Sequence, residues 1–168
     1  INSGIKTGFN EAFIIDEEKK DELIKQDPKS AEIIKPLVRG RDIKKYSFDF
    51  TDKWLINSHN NPPVNIKNYP FIKEHLDQYY DKLEKRGDKG LTPYNLRNCT
   101  YLEEFKKEKI FWAGMSSENN FLFTSNELFI NDKGFMLTGK SLKYILALLN
   151  SKTCFYYYKI DGIRLATG

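Results

Sequence analysis

The sequence predicts a single α+β domain with an antiparallel or mixed sheet and several packed helices. Apolar and aromatic runs of strand length are grouped in the second half of the chain, whereas helical periodicities lie elsewhere. The 40% hydrophobic and 14% aromatic fractions are those of a chain that folds. Its 168 residues are sized for one domain, which we place at residues 1–168.

The first elements follow from local patterns. After a glycine-flanked loop at residues 4–10, residues 12–15 read as a short buried strand. The charged segment 17–26 predicts an exposed helix, anchored only by Leu23 and Ile24. Asp27 and Pro28 are typical of the start of a second short helix, which we expect to run through Ile33 and Ile34 and to stop at Pro36.

The middle of the chain alternates loops and regular elements. Residues 37–46 carry four basic side chains around Gly40 and are assigned to a loop, and a strand is predicted at residues 54–56. The clearest helix is predicted from Tyr69-Pro70 to Gly87, where the apolar stripe is core. Residues 86–99 are rich in turn formers and donors, which is typical of an ordered functional loop. The apolar helical stripe contains Ile72, Leu76, Tyr79, Tyr80 and Leu83.

Four strands are predicted in the second half, at residues 109–112, 121–124, 127–130 and 135–138. We expect them to form an antiparallel meander, in which a tight turn at residues 131–134 joins the last two. A strongly apolar helix follows, and residues 154–158 continue apolar beyond it. That helix is marked by Leu142, Ile145, Leu146 and Leu149.

Composition bears on location and metal binding. Cys99 and Cys154 lie far apart in sequence with only His59 and His75 to assist them, so no metal site can be assembled, and both read as buried thiols. No apolar run approaches the roughly 20 residues that span a bilayer, which predicts a soluble, cytoplasmic protein. Because Ile1 is not methionine, we expect the natural chain to extend in the N-terminal direction.

Residues 134–141 match the Walker A phosphate-binding pattern letter for letter. A nucleotide loop must be wet and wrap its backbone around phosphate, whereas Phe135 to Thr138 are typical of a strand. Only 27 residues follow Ser141, which leaves no room for later strands with a magnesium-binding Asp. We therefore expect a strand, a turn at Gly139, and Ser141 as a helix N-cap, with a P-loop hydrolase as the disfavoured alternative.

Residues 61–64, Asn-Pro-Pro-Val, resemble the tetrapeptide with which adenine-N6 methyltransferases grip a flipped base. That motif needs an aromatic ring to stack on adenine, and Val64 cannot supply one. No glycine-rich strand-loop-helix unit able to hold S-adenosylmethionine precedes it, so a rigid turn before a helix is the preferred reading. Paired carboxylates lie in charged, solvated stretches, and we predict no catalytic residue and no cofactor-binding residue in this chain.

Taken in order, six segments resemble the TaqI-like C-terminal specificity domain of adenine-N6 DNA methyltransferases and single-chain type IIG restriction-modification enzymes. They are residues 4–16, the Ile33 to Ile43 stretch with Gly-Arg-Asp-Ile, the Tyr69-Pro helix to Leu83, the 86–97 loop, Lys109-Ile-Phe-Trp112, and residues 142–151.

The resemblance implies a division of labour. A separate N-terminal catalytic domain of the same chain would bind S-adenosylmethionine and the flipped adenine, while this domain would grip double-stranded DNA and read its sequence. The parent protein is then expected to be an adenine-specific methyltransferase, with or without a nuclease.

Donor side chains on loops are what such reading requires, since arginine and asparagine make paired hydrogen bonds to base edges and lysine contacts phosphate. The net charge of +4 permits a polyanionic partner. Three loop groups are the predicted DNA-binding residues: Lys6, Thr7 and Asn10; Arg39, Arg41, Lys44 and Lys45; and Lys89, Tyr94, Asn95 and Arg97.

Each group has an alternative. Arg41 and Asp42 could form a structural ion pair, and Lys44 and Lys45 could be plain surface. The aromatic run 155–158 is expected in core or interface packing rather than stacked on bases. An alternative function is a protein-interaction module, with the apolar segment 142–158 docking on a partner subunit or on the missing domain.

Overall fold

Two four-stranded sheets and the helices around them form the fold in the computed structural model, which describes residues 1–161. The strands are β1 (Asn2–Ser3), β2 (Ile14–Asp16), β3 (Ile34–Val38), β4 (Ile43–Lys44), β5 (Ser47–Phe48), β6 (Lys53–Ile56), β7 (Lys109–Ala113), β8 (Phe121–Thr124), β9 (Phe129–Ile130) and β10 (Gly134–Leu137). The α-helices are α1 (Asn10–Phe13), α2 (Glu17–Gln26), α3 (Pro70–Asp77), α4 (Tyr80–Lys85), α5 (Leu142–Leu149) and α6 (Lys152–Asp161).

The two sheets confirm the α+β class. The first has the order β1-β10-β7-β8 with antiparallel pairing, and the second has the order β2-β6-β3-β9 with β9 parallel to β3. The predicted four-strand meander is therefore wrong in its second half, because β9 and β10 belong to different sheets. Phe129 and Ile130 are both buried, so β9 is covered on both faces, as is usual for a strand with a parallel neighbour.

The first third of the chain departs from the local patterns. Ala12 and Phe13 lie in α1, and the predicted strand begins only at Ile14. The helix expected through Ile34 is a 3-10 turn at Pro28–Glu32, and Pro36 lies inside β3 rather than ending a helix. Pairing of β3 with β6 and β9 outweighs the helical spacing of so few residues.

The segment predicted as one helix from Tyr69 to Gly87 is two helices. Gln78 and Tyr79 interrupt it, and the Tyr79 ring packs 5.8 Å from that of Phe9. Ile72, Leu76 and Leu83 are fully buried, so the apolar stripe is core as predicted, although Tyr80 remains 37% exposed.

The main core lies between the sheets and the N-terminal helices. In a smaller cluster, Leu142 and Leu146 of α5 pack with Ile110 of β7. Beyond it, Tyr156 and Tyr157 on α6 are more than 60% exposed, so they do not pack in the core of this chain, and their packing at an interface stays a prediction. Cys99 and Cys154 are half-buried rather than buried. Within residues 1–161, no helix has the length and apolarity to cross a membrane.

The Walker-like segment adopts the strand that was expected of it. Residues 134–137 form β10, whose backbone is paired with β1 on one side and β7 on the other, so it cannot wrap a phosphate. Ser141 occupies the N-cap position of α5, but its side chain makes no capping hydrogen bond there.

Candidate nucleic-acid interface

The parallel pairing of β3 and β9 brings two loops together. Leu37 and Val38 lie beside Phe129 and Ile130, so the segments that follow the two strands leave the sheet at the same edge. One is the 3-10 turn Gly40–Asp42 with its arginines, and the other is the 131–134 turn. The predicted basic cluster therefore lies beside a turn that the sequence marked only as a connection.

The N-terminal loop joins the same turn through its backbone. The amide of Gly4 donates to the carbonyl of Gly134 at 2.8 Å, and the amide of Ile5 donates to the carbonyl of Ile130 at 2.8 Å. A Cβ at position 4 would overlap the carbonyl group of Asn131, so only glycine permits this approach. Two of the three predicted groups thus meet at one place.

We call the resulting cavity the three-loop groove. It has a volume of about 600 Å³ and lies between the Gly40–Asp42 turn, the 131–134 turn and the 113–115 bend, with Asn10 at its rim. Arg41 and Lys133 are exposed in it, and Met115 is 74% exposed. Its lining residues are Asn10, Arg39, Gly40, Arg41, Ala113, Gly114, Met115, Asn131, Asp132, Lys133 and Phe135.

The two arginines of the turn have different roles. Arg39 donates to both carboxylate oxygens of Asp42, at 2.7 and 3.0 Å, and also to Thr51 at 3.1 Å. The alternative in which Arg41 pairs with Asp42 is therefore not what the structure has, because Arg39 occupies that carboxylate. These hydrogen bonds from Arg39 hold the pKa of Asp42 below its usual value, although burial acts to raise it. Arg41 is left exposed toward the groove.

The 86–97 loop is organised around a buried cation. The Arg86 guanidinium, in a side chain only 7% exposed, donates to the carbonyls of Thr7, Asp88, Pro93 and Asn95. Burial lowers the pKa of Arg86 to about 10, although nearby Asp88 acts to raise it. This residue ties the N-terminal loop to the 86–97 loop, and we had not singled it out as a site residue.

Within this loop, Asn95 is used internally. It is 1% exposed, its amide nitrogen donates to the carbonyl of Val64 at 2.9 Å, and its amide oxygen accepts from Thr92 at 2.6 Å. Thr7 is similarly buried and donates to Asn10 at 2.6 Å. Both side chains shape loops, and neither presents a free group to a base.

Two further predicted residues face the α3–α4 side. The Tyr94 hydroxyl donates to Asp77 at 2.6 Å, and the Lys89 ammonium donates to the carbonyl of Glu84 at 2.6 Å. Neither residue lines the three-loop groove. Their predicted contact with DNA stays a prediction.

Lys6 and Arg97 are brought together by one carboxylate. Asp88 pairs with the Lys6 ammonium at 2.9 Å and with the Arg97 guanidinium at 3.4 Å. The hydrogen bond from Lys6, more than that from Arg97, holds the pKa of Asp88 below its usual value. The outer members of the first and third predicted groups therefore lie side by side.

Lys44 and Lys45 lie on the β4–β5 hairpin, which places part of the predicted 37–46 loop in strands. Lys44 pairs with Asp49 at 3.0 Å, and Lys45 is exposed. The hairpin rests on β8, where the amide of Tyr46 donates to the carbonyl of Phe121 at 3.1 Å. Neither lysine lines the groove.

Sequence reasoning missed Lys133, Met115 and Phe135 as site residues. Lys133 was assigned to a hairpin turn, and Phe135 to a strand, because their neighbours in space are fixed only by the β3–β9 pairing. For Lys133, the one local signal of a site residue was its position in a turn that ends at a glycine. Together the groove offers guanidinium, ammonium and amide donors, one carboxylate acceptor and three apolar side chains.

The hydrogen-bond donors lie on loops that buried side chains hold in place. This arrangement defines a polar recognition module built on an α+β domain. Its chemistry is what contacts to base edges and phosphates require. The chain belongs to the TaqI-like C-terminal specificity domain family, whose model matches residues 35–164.

A solved structure gives the same fold. The chain is similar to the type IIL restriction-modification enzyme MmeI, solved in complex with DNA, with a TM-score of 0.67 and 15% sequence identity. The match covers 89% of this chain and 20% of that one, so this chain spans about a fifth of that structure. No curated protein sequence matches the chain.

Proposed function

We propose that this chain is the sequence-reading module of an adenine-N6 DNA methyltransferase or of a fused, type IIG restriction-modification enzyme in the cytoplasm. In this role it positions double-stranded DNA for a separate catalytic domain of the same polypeptide. That domain would bind S-adenosylmethionine and carry out methyl transfer. Membership of a specificity-domain family and the fold shared with a DNA-bound enzyme support the proposal.

The three-loop groove is the observation that carries it. The sequence-predicted Arg41 and Asn10 converge there with Lys133, although they come from three distant parts of the chain. Arg41 can make the bidentate contact that reads guanine in a major groove, and the amide nitrogen of Asn10, whose oxygen accepts from Thr7, can donate to a base acceptor. The Asp132 carboxylate can accept from a cytosine amino group, and Met115 can contact a thymine methyl group.

Alanine variants at Arg41 and Lys133 of the intact protein test this assignment. A phosphate contact contributes about 0.9 to the slope of log affinity against log salt concentration, and a base contact about 1–3 kcal/mol of discrimination. We expect each variant to bind target duplex more weakly, and to show a smaller salt slope, a loss of base discrimination, or both. Fluorescence anisotropy over a salt series measures them.

Lys67→Ala is the matched control, because Lys67 is exposed but lies outside the groove. It should bind as the wild type does. If the Arg41 and Lys133 variants also keep wild-type affinity and salt slope, the groove is not the DNA-binding surface. Arg39 is unsuited to this test because its loss also breaks the contact with Asp42.

A protein-interaction role is the second candidate, and one observation favours it. Helices α5 and α6 expose large apolar side chains, among them Tyr144 at 68% and Leu148 at 51%. Such a surface is suited to a protein partner, which includes a catalytic domain of the same polypeptide. Charge reversal in the groove would then leave the function intact, whereas Tyr144→Glu with Leu148→Glu would abolish association.

A further inference from the structure

A recess separate from the three-loop groove lies beside the N-terminal loop. It has a volume of about 260 Å³ and is enclosed by residues 3–6, by Asn57 and His59 after β6, and by residues 96–102. A third, shallower cavity lies between the two: it shares Lys6 and Asp132 with the recess, and Asn10, Asp132 and Lys133 with the groove.

The walls of the recess combine flat and apolar surfaces. Ile5 and Leu96 are buried side chains that line it, and the rings of His59 and Tyr101 line it as well. Apolar and aromatic walls of this kind hold a planar ring by stacking and contact. The volume lies below the range of about 300–1,000 Å³ that is typical of sites for drug-sized ligands, so one ring system is the appropriate size.

Two residues that line the recess, Asn57 and His59, carry buried polar atoms that lack partners. Asn57 is 5% exposed, and neither its Oδ1 nor the Nδ1 of His59 has a hydrogen-bond partner among residues 1–161, although both atoms are buried. A hydrogen bond left unmade in this way is costly, and such groups are rare in folded proteins. A ligand with donors and acceptors on one planar edge would satisfy an amide and a neutral imidazole through small side-chain rotations.

Charged side chains line the recess, two of them cations and one the Asp132 carboxylate. Lys6 and Arg97 line it, with side chains 47% and 53% exposed, and Asp88 holds them near each other. Cations at the mouth of a ring-sized recess are placed to contact phosphates on either side of an inserted nucleotide.

We propose that this recess receives a single nucleobase turned out of the DNA that lies in the three-loop groove. The flanking phosphates contact Lys6 and Arg97, the ring lies against Tyr101 and His59, and the base edge reaches Asn57. This inference rests on the proposed function. Turning a base out of the stack costs least for an unpaired base, so an unpaired nucleotide is the most sensitive probe.

Cys99 gives a direct readout because it lines the recess and is half-buried, whereas Cys154 lies on α6 and outside it. Burial raises the pKa of the Cys99 thiol, so alkylation of the intact protein by iodoacetamide is followed near the ordinary thiol pKa of about 8.5. Peptide mass spectrometry reports the two cysteines separately. The probes are a fully paired duplex, the same duplex with one unpaired nucleotide, and a free deoxynucleoside monophosphate.

We expect the duplex with the unpaired nucleotide, at ten times its dissociation constant, to slow Cys99 alkylation about tenfold by mass action. The paired duplex and the free nucleotide should protect Cys99 less, and Cys154 should be unaffected. Equal protection by paired and unpaired duplexes overturns the proposal, as does protection by the free nucleotide alone. If anisotropy shows that no duplex binds, the proposed DNA-reading function fails instead.

A pocket-filling variant gives the second arm. Asn98 is exposed and lines the recess, so Asn98→Trp should fill it without disturbing the core. We expect this variant to lose the preference for the unpaired nucleotide and to keep its affinity for paired duplex. Asn68→Trp, at an exposed site outside the recess, is the control. A preference that survives in Asn98→Trp contradicts the proposal.

Discussion

The Gly40–Asp42 turn and the 86–97 loop are both held in place by an internal arginine, but the groups that bind that arginine differ. Each presents one exposed arginine, Arg41 or Arg97, and each is held by a second arginine that is used internally. Arg39 is held by the carboxylate of Asp42, whereas Arg86 is held by backbone carbonyls.

The difference shows in the two pKa shifts. Hydrogen bonding to Asp42 raises the pKa of Arg39, whereas burial lowers the pKa of Arg86 to about 10. A buried cation whose ligands are neutral dipoles keeps a larger desolvation cost, and its removal leaves several carbonyls without donors. We therefore expect the 86–97 loop to depend more on its internal arginine than the turn does.

Arg86→Met should be the most damaging of the substitutions that compare the two loops. It leaves the carbonyls of Thr7, Asp88 and Pro93 without this donor, whereas that of Asn95 keeps the Gly90 amide, and each buried unsatisfied group costs about 1–3 kcal/mol. We expect a loss of about 3–5 kcal/mol in the free energy of unfolding, measured by urea denaturation.

Arg97→Met is the control from the same loop, since this side chain is exposed. It should change stability by no more than about 0.5 kcal/mol. Two variants of equal stability would show that the carbonyl cage around Arg86 does not hold the loop, and the contrast between the loops would then lose its basis.

Arg39→Met should cost less, about 2 kcal/mol, because the Asp42 carboxylate loses a charged donor but keeps Thr51 nearby. The cost should depend on pH. The folded pKa of Asp42 is below 3.8, so the stability from the pair is present above 3.8 and is lost as pH falls through the folded value.

Urea denaturation of Arg39→Met and wild type from neutral to acidic pH measures this dependence. The stability gap between the two proteins should be constant above pH 3.8 and close below it, where the carboxyl becomes neutral. A gap that persists in acid would mean that Arg39 stabilises the turn by packing and not by its charge.

Sequence patterns predicted a helix or strand well where nearby residues alone determine where it begins and ends. The charged helix at Glu17–Gln26 is confirmed at both ends, because the Asp16 side chain caps its start, Asp27 begins the next turn, and a single buried leucine anchors it. The strand at Phe121–Thr124 is likewise confirmed, since its aromatic alternation needs no information from afar.

What the sequence could not predict depends on pairing between distant segments. The parallel contact of β9 with β3 joins residues far apart in the chain, and no local spacing announces it. The groove follows from that contact. Arg41 and Asn10 were identified from the composition of their own loops, whereas Lys133 was not, because only the contact brings its turn beside them. Similarly, a carbonyl cage such as that of Arg86 has no residue-type signature, unlike the i,i+3 pair of Arg39 and Asp42.

The glycines of the two loops offer a third, smaller contrast. A Cβ on Gly40 would lie 3.1 Å from the carbonyl oxygen of Lys133 and 3.2 Å from the Cβ of Ala113, whereas a Cβ on Gly87 would meet nothing within 4 Å. Gly40→Ala should therefore cost about 1–2 kcal/mol by overpacking and should weaken DNA binding by displacing Arg41.

Gly87→Ala is the matched control and should leave stability and DNA affinity near wild type. Urea denaturation and anisotropy measure the two quantities on the same preparations. If Gly40→Ala is as stable as Gly87→Ala, the turn at residues 40–42 adapts freely, and the groove is less rigid than these contacts imply.

Asp88→Asn should have the smallest effect, and in the opposite direction. The Asp88 carboxylate restrains Lys6 and Arg97 and repels DNA phosphates beside the groove, so its neutralisation should strengthen duplex binding. The gain should be at most about fivefold, as expected from the roughly 0.2–1 kcal/mol of surface ion pairs. Anisotropy at low and high salt measures it, with exposed Asp81→Asn on α4 as control. Weaker binding in Asp88→Asn would instead show that the carboxylate positions both cations for phosphate, making the 86–97 loop as dependent on a carboxylate as the Gly40–Asp42 turn.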